Sequence, residues 1–285
     1  MKKIYFLSDA HLGSRASNDS REREQKLCYF LDSIRHEASA IYLLGDIFDF
    51  WFEYHNVIPK GYTRFLGKLS KLSDAGIEIH FFTGNHDMWA FDYLQEECGV
   101  ILHTAPIEIS LPSLSGTPIS AYVGHGDGLG DPSRGFRFIR SIFHSPLCQW
   151  LFRNIFPADL GMELGLRWAK SSRLKHSRNV VAENGDKLYV SEDGEIRNAL
   201  GDVLSQNIET EEPFQGEANE PLVIFSKQYL QDHPCTSYFI FGHRHIELDL
   251  MLSRRAHLLI LGEWIKKCTY AVWDGETMIM DNFEK

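Results

Sequence analysis

Basic residues are in the minority, 29 Lys and Arg against 39 Asp and Glu, for a formal net charge of −10. A generic nucleic-acid binder carries a basic footprint for the phosphate backbone, so nucleic acid is not an expected partner. The five cysteines, Cys28, Cys98, Cys148, Cys235 and Cys268, are scattered, odd in number and never spaced C-x-x-C. That excludes a disulfide framework and points to reduced thiols in the cytoplasm. No apolar run is long enough to span a bilayer. Met1-Lys2-Lys3 imitates the start of a signal peptide, but Ser8, Asp9 and His11 interrupt the apolar run after Ile4 to Leu7, so export is not expected. Internal repeats and low-complexity tracts are also absent.

What is present is a chain of 285 residues, 44% hydrophobic, enough for one large domain or two. Short apolar runs ending in Gly, Asp or His alternate with helical patterns, the signature of an α/β protein. Strands are expected over Ile4 to Leu7, Ile41 to Leu44, Ile79 to Thr83, Ile119 to Val123, Tyr238 to Phe241, Leu258 to Leu261, Thr269 to Trp273 and Thr277 to Met280. Helices are expected near Arg21 to Glu37, Thr63 to Ala75 and Trp89 to Cys98. The last strands lack intervening helices, which suggests an antiparallel flank.

Between Asp127 and Ser237 the strand rhythm stops, as an insertion or cap would make it do. From Arg134 to Arg178 there are nine Lys or Arg against two acids, interleaved with Phe136, Phe138, Phe143, Trp150, Phe152, Phe156 and Trp168. Phe136, Ile139, Phe143, Leu147, Trp150 and Leu151 recur at helical spacing; such a stripe suits core packing or, with this charge, an anionic membrane surface. From Glu183 to Glu220 there are eleven acids against Lys187 and Arg197, which reads as a solvated surface loop.

Five polar clusters sit where strands are expected to end: Asp9-Ala10-His11, Gly45-Asp46, Gly84-Asn85-His86-Asp87, Gly124-His125-Gly126-Asp127 and Gly242-His243-Arg244-His245. Open α/β sheets bind ligands at that edge. The alternate spacing of Asp9/His11 and of His243/His245 puts each pair on one side of an extended backbone. Carboxylates and imidazoles without thiolates suit two divalent cations, Mn2+ foremost, with Fe, Zn or Co as alternatives. Such a pair needs a bridging carboxylate, for which Asp46 is the best candidate.

In this order the clusters resemble the calcineurin-like metallophosphoesterase family, whose blocks run D-x-H, GD-x-x-D, GNHD, H-G-D-like and GH-x-H. The resemblance covers residues 1–127 and 237–285 and implies a four-layer αββα sandwich, with 128–236 as a helical lid insertion carrying an acidic loop. It implies one metal held by Asp9, His11, Asp46 and His245, and the other by Asp46, Asn85, His125 and His243. It also implies His86 over the phosphate at the mouth of the site, steadying charge or protonating the leaving oxygen, with Asp87 orienting or polarising it.

Within that family the chain is most similar to the UDP-2,3-diacylglucosamine diphosphatases of lipid A biosynthesis, which cut a pyrophosphate to release a diacylated sugar phosphate and UMP. The likeness rests on Leu44-Gly45-Asp46-Ile47-Phe48-Asp49-Phe50-Trp51 and on a lid rich in Arg and aromatics after H-G-D. It implies a hydrolase acting on a lipid-linked sugar nucleotide, cytoplasmic and peripheral on the inner membrane. Arg134, Arg137, Arg167, Ser171, Ser172, Arg173 and Lys175 then become candidates for phosphate or sugar. One departure stands out: these enzymes usually read GNRD where this chain has His86. Two alternatives stay open, another phosphodiesterase or phosphomonoesterase of the same core acting on a nucleotide or phosphoprotein, and a non-catalytic scaffold of the same fold.

Overall fold

The computed structural model describes residues 2–14, 20–130, 141, 143, 145–177, 189–190, 195–197, 203–206 and 214–284; the side chains from 168 to 213 lie outside that description. Two sheets form the body. The first has the order β14-β13-β1-β2-β3-β4, with β1 Lys3–Leu7, β2 Ala38–Leu44, β3 Glu78–Phe82, β4 Ile101–His103, β13 Thr269–Trp273 and β14 Met278–Asn282. Strands β1 to β4 run parallel, while β13 and β14 close the edge antiparallel, as the missing helices between them suggested. The second has the order β11-β12-β10-β6-β5, with β5 Ile107–Leu111, β6 Ile119–Val123, β10 Thr236–Phe241, β11 Glu247–Ser253 and β12 Ala256–Leu261.

The buried side chains divide this body into layers. Ile4, Phe6, Leu44, Phe82 and Trp273 of the first sheet meet Val123, Ile240, Leu259 and Leu261 of the second in one apolar cluster, so the sheets pack face to face. The opposite face of the first sheet, Tyr5, Leu7, Ile41, Leu43 and Phe81, packs on α1 Ser20–Ile34, α2 Thr63–Asp74 and α3 Tyr93–Cys98. Among the remaining helices, α4 Pro146–Ile155, α5 Ala158–Ser177 and α6 Pro221–Asp232, it is α6 that covers the second sheet, through Leu222 and Val223 on Phe239, Phe241, Leu258 and Ile260. The result is the αββα order. Because the middle strands of these sheets are covered on both faces, they read as unbroken apolar runs, which made most of them legible in the sequence; the wetter edge strand β14 was legible as well.

Several elements differ from expectation for local reasons. The helix expected from Trp89 starts only at Tyr93, because the buried Glu53 carboxylate accepts the backbone N–H groups of Phe91, Asp92 and Tyr93 and so fixes the entry to α3. Strands β5 and β11 went unrecognised because they alternate Ile or Leu with Glu, Asp or Ser, as edge strands wetted on one face do. Helix α6 lies inside the stretch assigned to the insertion, yet it supplies the fourth layer; Pro221 at its first turn was the available start signal. The acidic stretch is not simply a loop, since Tyr189–Val190 (β7), Glu195–Arg197 (β8) and Val203–Gln206 (β9) form a small antiparallel sheet within it.

Candidate metal centre

All five polar clusters follow C-terminal ends of strands, those after β1, β2 and β3 from one sheet and those after β6 and β10 from the other. Face-to-face packing therefore brings two rows of loops to one rim. They are laced by backbone hydrogen bonds: Asp9 N–H donates to Gly45 O at 3.1 Å, His11 N–H to Asp46 O at 2.9 Å, and Gly242 N–H to His125 O at 3.0 Å. Across the sheets, His243 N–H donates to Asp9 Oδ2 at 2.9 Å.

The backbone at this rim is strained. Among the described residues, seven other than glycine have positive φ, and five of these are Asp9, His11, Asp46, His243 and His245. Such conformations cost of order 1–3 kcal/mol each and persist where the surroundings enforce them, most often at functional sites. The glycines make room for the approach: a Cβ on Gly84 would lie 2.2 Å from Asp46 Oδ1, and one on Gly242 would lie 2.4 Å from Asp9 Oδ2.

The seven side chains expected to act together do converge. His11 Nε2 and His245 Nε2 are 3.1 Å apart, and His245 Nε2 is 3.1 Å from Asp9 Oδ1. His125 Nε2 lies 3.2 Å from Asn85 Oδ1 and 3.3 Å from Asp46 Oδ2, with the His243 ring 5.1 Å away, centroid to centroid. Two groups of donors result, Asp9 with His11 and His245, and Asp46 with His125 and His243; a third joins Asp46 to His11 and His86, which makes Asp46 common to both sides. Asp9, His11, Asp46 and His125 are buried, while Asn85, His243 and His245 are partly exposed toward solvent.

The donor chemistry fits a pair of cations. Asp9 is fully buried, and its Oδ1 accepts no hydrogen bond although His245 faces it. Two imidazole nitrogens 3.1 Å apart repel unless a proton or a cation lies between them. His125 Nδ1 must carry a hydrogen, because its partner at 2.9 Å is the Leu44 carbonyl, which only accepts; Nε2, turned toward Asp46, is then the nitrogen that could ligate a cation. Burial opposes charge on His125, but Asp46, followed by Asp9 and Asp127, outweighs it and holds the imidazole well above its ordinary range. Burial likewise opposes ionisation of Asp46, and the imidazoles of His125, His86 and His11 overcome it, keeping that carboxyl well below the usual range. Burial, then the nearby His125, pushes His243 down to about 4, which leaves it a neutral donor.

His86 occupies a different position from its neighbours. Its ring stands edge-on to His11 at 4.8 Å, its Nδ1–H donates to the Asp49 carbonyl at 2.8 Å, and it is buried in the wall of an adjoining cavity. The orientation expected from Asp87 is not what holds it. Asp87 Oδ1 accepts from Gly84 N–H at 2.7 Å and Asp46 N–H at 3.3 Å, and Oδ2 accepts from Ile47 N–H at 2.9 Å and Phe48 N–H at 3.3 Å. Asp87 therefore binds the β2 and β3 loops together. Burial and the charge of Asp46 push its carboxyl up to about 7 against those amides.

Two supporting residues escaped the sequence reading. Asp49 Oδ1 lies 3.3 Å from His11 Nδ1 and so steers the other ring nitrogen inward; its signal was the spacing of GD-x-x-D. Arg23, buried on α1, donates to the carbonyls of Ala10 and His11 at 3.2 and 3.1 Å, and nothing in a helical pattern distinguishes it from a surface arginine. Of the lid candidates, Arg167 does not join the site: it is exposed on α5 and paired with Glu163 at 2.9 Å. Arg134 and Arg137 lie outside the described residues, as do the side chains of Ser171, Ser172, Arg173 and Lys175.

The cavity beside His86 has a volume of about 190 Å³ and is lined by Phe50, Trp51, Met88, Trp89, Phe143 and Phe152, closed by Leu164 and Gly165 of α5. Gly165 sets the approach of that helix, since a Cβ there would fall 2.1 Å from the Phe50 ring. Helix α5 thus roofs an apolar slot that opens at the rim beside Asn85 and His86.

Asp87→Ala would leave four buried amides without an acceptor, at about 1–3 kcal/mol each when unsatisfied. The expected result is a melting temperature lower by about 10 °C or more, read by calorimetry; an unchanged value would show that the carboxylate does not tie the loops.

No family model matches the chain. A curated UDP-2,3-diacylglucosamine hydrolase of Porphyromonas gingivalis is 41% identical over 283 residues, 99% of this chain and 98% of the relative. Relatives of the same name from Edwardsiella ictaluri and Neisseria meningitidis serogroup B are 31% identical over 62% of this chain and 35% identical over 53%, spanning 64% and 60% of their own lengths. With identity of 41% sustained across nearly the whole of both chains, the protein belongs to the UDP-2,3-diacylglucosamine hydrolase family.

Proposed function

We propose that the chain hydrolyses the pyrophosphate bond of UDP-2,3-diacylglucosamine, giving 2,3-diacylglucosamine 1-phosphate and UMP. The observation that carries this reading is a rim of seven donors, joined at Asp46, opening directly into an apolar slot under α5. A pyrophosphate flanked by acyl chains requires that juxtaposition, and a phosphoprotein or a free nucleotide does not. The Porphyromonas gingivalis relative, a named UDP-2,3-diacylglucosamine hydrolase, supports the same substrate.

Asp9, His11, Asp46 and His245 would hold one cation, and Asp46, Asn85, His125 and His243 the other; the oxygen donors suit Mn2+, the proposed ion, and the imidazoles would equally accept Fe or Zn. When bound, such a pair polarises the phosphoryl oxygens and lowers the pKa of a water aligned for in-line attack. The chain's own residues do the rest. Asp49 and the Leu44 carbonyl orient the imidazoles of His11 and His125. His86, with Nδ1 committed to the Asp49 carbonyl, serves the substrate through Nε2, steadying phosphoryl charge or protonating the leaving oxygen. Phe50, Trp89, Phe143 and Phe152 exclude water and receive acyl carbon.

The same reading puts the protein in the cytoplasm, resting on the inner membrane. No helix among the described residues is long and apolar enough to cross a bilayer. Helices α4 and α5 instead expose Leu147, Trp150, Ile155 and Leu160, each at least half accessible, within a segment whose charge is strongly positive. Apolar side chains beside basic ones suit the surface of an anionic membrane. Residues 128–236 form the lid in this proposal, apart from α6, which packs with the core.

Three measurements test it. Mn-loaded protein incubated with UDP-2,3-diacylglucosamine should release UMP, and bis-p-nitrophenyl phosphate should be preferred over the monoester; turnover of the monoester alone would reject the pyrophosphatase reading. His86→Ala should retain both cations by elemental analysis and lose about 10²-fold or more in kcat, whereas unimpaired catalysis would remove its assigned role. Trp150→Ser combined with Ile155→Ser should weaken sedimentation with anionic vesicles about tenfold or more while sparing a soluble diester, and equal sedimentation would exclude α4 as the contact.

A further inference from the structure

Glu220 looks, in sequence, like the last acid of a solvated acidic stretch. In the fold it is fully buried at the start of α6. Its Oε1 accepts Arg244 Nε–H at 2.7 Å and its Oε2 accepts from Nη2 at 3.4 Å, a fork-to-fork pair with the arginine side chain only 12% exposed. A buried ion pair of this kind is weak evidence for added stability, since desolvation offsets most of the attraction. Its location suggests another use. Arg244 stands between His243 and His245, which both have left-handed backbone, φ 70° and 54°, and which hold opposite halves of the rim. With its side chain anchored, the peptide carrying both histidines loses freedom to relax toward ordinary φ.

The anchor also marks where the insertion rejoins the core. Gly130, in the loop after His125, has φ +69°, and a Cβ there would lie 2.1 Å from the Pro221 carbonyl oxygen. Gly126 packs in the same way on Leu222. The N-terminus of α6 is therefore wedged between the loop that carries His125 and the loop that carries His243 and His245, and Glu220 is the residue through which it grips the second.

From this geometry we infer that Glu220 and Arg244 are positioning residues for the metal centre, holding His243 and His245 in their strained conformation and coupling the root of the lid to the cation site. The inference rests on the two-metal reading of those histidines. Neither residue touches substrate or cation; both act through the backbone between the ligands.

The test uses the full-length chain and Mn2+ alone as probe. Glu220→Leu combined with Arg244→Met removes both charges while keeping apolar bulk, so a merely structural pair predicts a near-native melting temperature and native metal binding together. The positioning role predicts that the melting temperature is kept while Mn2+ affinity falls about 10- to 100-fold, the exchange-coupled Mn–Mn signal in electron paramagnetic resonance is lost, and kcat drops with KM unchanged. Arg244→Lys is the second arm, because a point charge cannot span both carboxylate oxygens; it should weaken Mn2+ binding without lowering the melting temperature. Native Mn2+ affinity and a native coupled signal in either folded variant would overturn the inference. Wild-type protein that takes up no Mn2+ would instead overturn the metal reading beneath it.

Discussion

A single carboxylate, Asp46, lies where the ends of both sheets meet, and the surrounding structure is largely what keeps a buried charge there. Moving a carboxylate out of water costs several kcal/mol unless positive charge and hydrogen bonds replace the solvent. Here His125, His86 and His11 supply the positive field, and the His86 amide donates to Oδ1 at 2.8 Å. Gly84 gives the β3 loop the room to come that close. Asp87, Asp49 and Arg23 then fix the loops that carry the donors. An arrangement that gathers buried carboxylates, closely spaced imidazoles and strained backbone around one point is poorly suited to folding alone, and well suited to receiving cations.

The two-sheet body explains why the donors can be drawn from such distant stretches. Parallel strands in both sheets end at the same rim, so each contributes a loop without a long connection crossing the site. The start of α6, at Glu220, lies beside the loop of the last two histidines and against the loop after His125. Helix α5 meets the Phe50 ring at Gly165, so the rim is bordered by a slot with an apolar wall.

Much of this was legible in the sequence because the signals were local. Apolar runs that end in Gly-Asp, Gly-Asn-His or Gly-His announce both a strand and the polar loop after it, and the resemblance of those clusters to metallophosphoesterase blocks implied the seven donors. What stayed hidden depends on contacts between distant residues. Strands β5 and β11 alternate like surface segments because one of their faces is wet. Glu220 was counted with its acidic neighbours, and only the fold reveals its partner. Asp87 was read from its neighbour in sequence, His86, whereas its carboxylate engages a loop forty residues earlier. Arg167 was chosen for its charge, which its own helix already satisfies at Glu163.

The central claim is that two cations share Asp46, and the anomalous scattering of Mn2+-soaked crystals tests it most directly. The account predicts two peaks about 3.5–4 Å apart, one on each side of the Asp46 carboxylate, with Asp9, His11 and His245 around the first and Asn85, His125 and His243 around the second. A single peak, or two peaks with Asp46 bound to only one of them, would contradict it.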